Sequence, residues 1–138
     1  YHIQNSLNII INNKVNIILW HQGESDECET NLYYNERLSA LISQFRNNKY
    51  FSKHVIFIAG ELKKGKQNIV LNMLNYDNNK YTACAYNNFL ETIDDIHFTS
   101  ASQQKLGIQY YYSFQNISQS FLNRLKYKLR IIVKQIFT

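Results

Sequence analysis

The chain has 138 residues, 45% of them hydrophobic, which suits one domain with a buried core and argues against a disordered chain. Its formal charge of +5 sits entirely in residues 121–138, where Arg124, Lys126, Lys128, Arg130 and Lys134 meet no acid, while residues 1–120 balance ten Lys/Arg against ten Asp/Glu. A chain-wide nucleic-acid surface is therefore not indicated; two cysteines, Cys28 and Cys84, make neither a disulfide framework nor a spaced metal site, and no apolar run reaches the ~18 residues of a membrane span.

Taken in chain order, residues 2–13 place Ile3, Leu7 and Ile10 at near-helical spacing and predict a helix feeding a first strand, Val15–Trp20. That strand breaks into His21-Gln22-Gly23-Glu24-Ser25-Asp26, a polar, glycine-containing segment of the kind that forms ligand sites at the carboxyl ends of parallel strands. Leu32, Leu38, Leu41, Ile42 and Phe45 then make Tyr33–Asn47 an amphipathic helix. His54–Ala59 reads as a second buried strand stopped by Gly60, residues 63–66 as an exposed connection, Gln67–Leu74 as a helix and Tyr81–Tyr86 as a short third strand. A second dense loop, Asp94-Asp95-Ile96-His97-Phe98, precedes a helix over Ser100–Ser113. Strands alternating with helices predict an α/β domain on a parallel sheet.

The last stretch, residues 121–138, sets Phe121, Leu122, Leu125, Leu129, Ile132, Val133 and Ile136 on one helical face with its basic residues mostly elsewhere. The expected division is 1–120 for the domain and 121–138 for a basic amphipathic helix. That helix is expected to pack its apolar face on the domain; contact with an anionic membrane surface is the competing reading.

The two loops carry groups suited to acyl chemistry. A histidine three residues after an aspartate can be oriented by it, one ring nitrogen on the carboxylate and the other taking a proton from a hydroxyl. Asp94 fits that orienting role for His97 better than Asp95 does. Gln22 brings an amide able to donate to a developing oxyanion, and Gly23 allows close backbone approach to a substrate. Glu24 and Asp26 suit either substrate hydroxyls or capping of the next helix. His21 reads as a supporting or rim residue and Trp20 as either pocket wall or core.

Trp20-His21-Gln22-Gly23-Glu24-Ser25-Asp26 resembles the Trp-x-Gln-Gly-Glu-x-Asp signature of the sialate O-acetylesterase-like carbohydrate esterases, within the SGNH (GDSL-like) hydrolase superfamily. The resemblance continues through Tyr34–Ile42, through His54–Leu62 and through Asp94-Asp95-Ile96-His97-Phe98 with Ser102–Gly107, covering about residues 2–115. It implies a three-layer α/β/α fold and hydrolysis of acetyl esters on sugars or polysaccharide, without a cofactor or metal ion. It also implies roles: a serine nucleophile, His97 as base and then acid, Asp94 orienting it, and Gln22, Gly23 and Glu24 on the oxyanion and substrate side. Acetyl transfer between sugars, or a carbohydrate-binding protein that has lost its serine, are the alternatives.

The resemblance lacks two parts. The family's Gly-Gln-Ser-Asn-like nucleophile block and its oxyanion glycine have no counterpart here; Ser6 lies on the first predicted helix and Ser25 at the variable position of the signature. With Tyr1 and not Met at its start, the chain is expected to be the C-terminal part of a longer esterase, its sheet incomplete and its first strand left with an unpaired, aggregation-prone edge.

Overall fold

The computed structural model describes residues 14–23, 31–62, 81–86, 90–94 and 96–136. Three strands, β1 (Val15–Trp20), β2 (Phe51–Gly60) and β3 (Thr82–Ala85), form one parallel sheet in the order β1-β2-β3, accompanied by α1 (Asn31–Asn47) and α2 (Ser100–Ile136). The α/β reading is thus realised. The helices expected over 2–13 and 67–74 and the connection 63–66 lie outside the described residues.

Period-two alternation in β2 explains the layers. Phe57 and Ala59 face α1, where Tyr34, Leu38 and Ile42 recur every four residues, with Leu41 and Phe45 beside them. Ile56 and Ile58 face the other way, onto Leu106, Tyr110, Phe114 and Ile117 of α2. One helix therefore covers each face, the three-layer arrangement expected. Phe57, Ile58 and Val55 are wholly buried, each such side chain stabilising the fold by roughly 1.5–3 kcal/mol through removal from water. Side chain-to-strand bonds add direction: Arg46 Nη2 donates to Thr82 Oγ1 at 3.0 Å from α1, and Ser113 Oγ donates to the Cys84 carbonyl at 2.9 Å from α2.

Three boundaries differ from expectation by two residues or more. β2 begins at Phe51, not His54, because Val15 pairs with Phe51 but Ile17 with Ile56, so an irregularity absorbs the extra β2 residues. α1 starts at Asn31, two residues earlier than expected. α2 does not stop near Ser113; it runs unbroken to Ile136, through most of the basic segment 121–138, since nothing after Gly107 interrupts helical geometry. Among the described residues no helix is long and apolar enough to cross a membrane. β1 forms an edge of the described sheet, and its Leu19 is 58% exposed on the α2-facing side.

Candidate active site

The loop between β3 and α2 is a small closed structure. Thr92 and Phe98 pair as an antiparallel bridge, Ile93 N–H donates to the His97 carbonyl at 2.8 Å, and Thr99 N–H to the Glu91 carbonyl at 3.0 Å. Inside it, Asp94 folds back on the chain. Its Oδ1 accepts the Ile96 N–H at 2.8 Å and the His97 N–H at 2.6 Å, while Oδ2 meets His97 Nδ1 at 2.7 Å. The backbone bond from His97, then the imidazole bond, then the bond from Ile96 hold the Asp94 carboxyl well below the usual carboxylate range. An ionised carboxylate only accepts, so Nδ1 carries the proton and acid–base chemistry falls to Nε2.

The base of the loop is pinned to the helix behind it. Thr99 Oγ1 accepts the Ser102 N–H at 3.2 Å, and the Ser102 hydroxyl accepts the Glu91 N–H at 2.9 Å. A threonine at this position is a helix N-cap, so α2 starts where the loop ends.

His97 opens onto a cavity of about 400 Å³ whose walls include His21, Phe98, Gln103, Leu106 and Tyr110. His21 reaches it from the end of β1, its ring 5.5 Å from that of Phe98. Tyr110 Oη donates to the Trp20 carbonyl at 2.6 Å, fastening α2 to the last residue of β1. Both side chains lie over Gly60: a Cβ there would stand 2.7 Å from His21 Nδ1 and in hard contact with Tyr110 Oη. Among the described residues no serine or threonine lines this cavity. Cys84 is no substitute, since burial first and the Glu61 carboxylate second push its thiol up to about 12, away from the reactive thiolate.

Gln22 follows His21 but faces a different space. It lines a second cavity, about 250 Å³, with Trp20, Tyr33, Tyr34 and Arg37. Tyr34 Oη donates to the Gln22 carbonyl at 2.8 Å and lies 3.3 Å from its side-chain Oε1. Gly23 is buried at φ +135°, a backbone that side chains rarely adopt. The close approach it permits is to Leu62 Cδ1 and Tyr34 Oη, each 3.0 Å from where a Cβ would stand.

The structure thus brings Asp94 and His97 together, sets His21 in the same cavity, and places Gln22 and Gly23 on the far side of the same backbone segment. Glu24, Ser25, Asp26 and Ser6 lie outside the described residues. Sequence reasoning missed Tyr34, Tyr110 and Gly60. The only available signal was tyrosine on the buried face of each helix, where leucine or phenylalanine would fill the same space. Among the described residues no three His, Cys, Asp or Glu side chains gather as a metal site.

A family model described as carbohydrate esterase, sialic acid-specific acetylesterase, matches residues 2–116. Comparison with curated proteins and with solved structures finds no match.

Proposed function

The chain belongs to the sialic acid-specific acetylesterase family of carbohydrate esterases, and we propose that it acts on acetyl esters of sugars with Asp94 and His97 as the proton-handling pair. The 2.7 Å contact between His97 Nδ1 and Asp94 Oδ2 carries the reading. It fixes the tautomer a general base needs and stabilises the imidazolium formed when Nε2 takes a proton.

In this mechanism a serine hydroxyl from outside the described residues attacks the acetyl carbonyl as His97 Nε2 accepts its proton. The resemblance assigns Gln22, Gly23 and Glu24 to the oxyanion and substrate side; because Gln22 lines the other cavity, the steps here rest on Asp94 and His97 alone. The imidazolium then protonates the leaving sugar oxygen. Water, deprotonated by the same nitrogen, cleaves the acetyl-serine to acetate. The esterase portion is assigned to residues 1–120 and the remainder, 121–138, to a basic amphipathic helix.

The test is acetate release from an O-acetylated sugar by the protein carrying this chain, compared with its His97→Ala variant. The expected loss is roughly 10²–10⁴-fold in kcat, the scale of a positioned base. Full activity in the variant overturns the mechanism. The second reading is a carbohydrate-binding protein without turnover, and no acetate release by the unaltered protein decides for it. Acetyl transfer is separated from hydrolysis by adding an acceptor sugar and analysing the products.

A further inference from the structure

α2 outruns the apolar surface it covers. It passes Gly60 at Tyr110 and the Cys84 carbonyl at Ser113, and among the described side chains Ile117 is the last to join the core on this face. The apolar part of the sheet ends there too. On the upstream half of β2, Lys53 and His54 are exposed and Ser52 is half-buried, and β3 begins only at Thr82, opposite Phe57. Yet the helix goes on from Ile117 to Ile136, about 28 Å further. The sequence of that extension is ordered. Phe121, Leu125, Leu129, Ile132 and Ile136 step by three and four and fall within an arc of about 80°. Leu122 and Val133 widen the stripe to about 120°, and Lys128 and Lys126 border it, one on each side. Arg124, Arg130 and Lys134 lie behind them, and no acid occurs from residue 121 onward.

We propose that this extension of α2 lies in the headgroup layer of an anionic membrane, its apolar stripe toward the acyl chains and Lys126 and Lys128 among the lipid phosphates. Charge selects the occupant. A second copy packed on the stripe would bring five more cations against these five, with no acid in either extension to offset them. A nucleic acid would engage the cations and leave the apolar stripe in water. An anionic bilayer meets both faces at once, the apolar one by burial and the basic one by attraction. The family match ends at residue 116, so the extension lies outside the esterase resemblance and the inference does not depend on it. Tyr110, in the wall of the His97 cavity, stands about 16 Å along α2 from Phe121. Binding through the extension therefore holds that cavity close to the lipid surface.

The experiment floats the protein carrying this chain with vesicles of phosphatidylcholine alone and of phosphatidylcholine mixed with phosphatidylglycerol, at low and at raised salt. The expected result is binding to the mixed vesicles that weakens as salt screens the basic residues. Lys126→Gln combined with Lys128→Gln should lower the partition coefficient more than tenfold, at roughly fivefold for each charge. Leu125→Ser combined with Leu129→Ser should lower it at least as much, because both remove apolar area from the stripe. The lysine variant touches nothing in the His97 cavity, so its acetate release from a soluble O-acetylated sugar should match that of the unaltered protein. Absence of acetate release from every form would count against the esterase reading and leave the vesicle result standing. No binding to the mixed vesicles, equal binding to both kinds, or a lysine variant bound as tightly as the unaltered protein overturns the proposal. A lipid-free dimer that the leucine variant abolishes also overturns it, since the stripe would then belong to a second copy.

Discussion

Gly60→Ala is the most stringent test of how the end of β1 is held. The added methyl group would occupy space taken by Tyr110 Oη and by His21 Nδ1, the latter 2.7 Å away. Tyr110 cannot swing aside without giving up its 2.6 Å bond to the Trp20 carbonyl, a net loss of about 0.5–1.5 kcal/mol. Forcing one carbon into a packed interior costs about 1–3 kcal/mol more. The variant should therefore be about 2–4 kcal/mol less stable. Tyr110→Phe alone should cost about 1–2 kcal/mol, because it leaves the Trp20 carbonyl without its donor. In the double variant the hydroxyl nearest the new methyl group is gone, although the ring carbon that bore it still stands 3.0 Å from the added atom. The combined loss should fall short of the sum by about 1 kcal/mol, the coupling typical of groups in contact. Urea unfolding of all four proteins, compared at a common slope, measures this cycle. Strict additivity, or a Gly60→Ala protein within about 0.5 kcal/mol of the original, would refute the argument.

Asp94→Asn keeps an oxygen for the Ile96 and His97 N–H groups but turns a donating NH₂ toward His97 Nδ1, so the ring must carry its proton on Nε2 and can no longer accept one there. Acetate release should drop roughly 10²–10⁴-fold with the thermal midpoint little changed, whereas Asp94→Ala should also loosen the loop; an Asp94→Asn protein keeping more than a tenth of its rate counts against the pair. The depressed Asp94 carboxyl has a signed pH consequence: its contribution is fully present above the unfolded value of about 3.9 and is lost as pH falls below that toward the native value. Acid titration of His97-loop amide shifts should therefore show the loop holding through pH 5 and releasing only below about 4. Gly107→Ala fills open space on α2, with no atom within 4 Å of the new carbon, and should stabilise the helix by about 0.5–1 kcal/mol; a lowered urea midpoint would show that the His97 cavity needs that space.

What could be read from the sequence follows from which interactions are local. Alternation and helical spacing depend on near neighbours, so β1, α1, β2, β3 and the start of α2 are all legible, as is the Asp94–His97 pair, closed within three residues. Strand register is not local: the irregular pairing between Val15 and Ile17 leaves no mark in the run Phe51-Ser52-Lys53, where two polar residues interrupt the apolar pattern. The end of α2 escaped because helix stops are read from glycine and proline, and the chain has four of the first and none of the second. Tyr34 and Tyr110 escaped for a different reason. Their rings satisfy the hydrophobic pattern, and only the partners of their hydroxyls, 12 and 90 residues away, separate them from core residues.

The same alternation that builds the sheet also sorts the chemistry at its end. In β1 the side chains of Ile18 and Trp20 face α1. Continued past the strand, this order sends His21 to the α2 side, with His97, and Gln22 to the α1 side, with Arg37. A one-residue slip of β1 would exchange the two sets, bringing the amide to His97 and the imidazole to Arg37. Register at this edge therefore decides which side chains share a cavity with His97, as well as how the strand packs. Three contacts hold it: the pairing of Trp20 with Ala59, the Tyr110 bond to the Trp20 carbonyl and the Tyr34 bond to the Gln22 carbonyl. Each helix supplies one tyrosine to the same short stretch of backbone. That explains why hydroxyl-bearing rings stand at core positions of both helices.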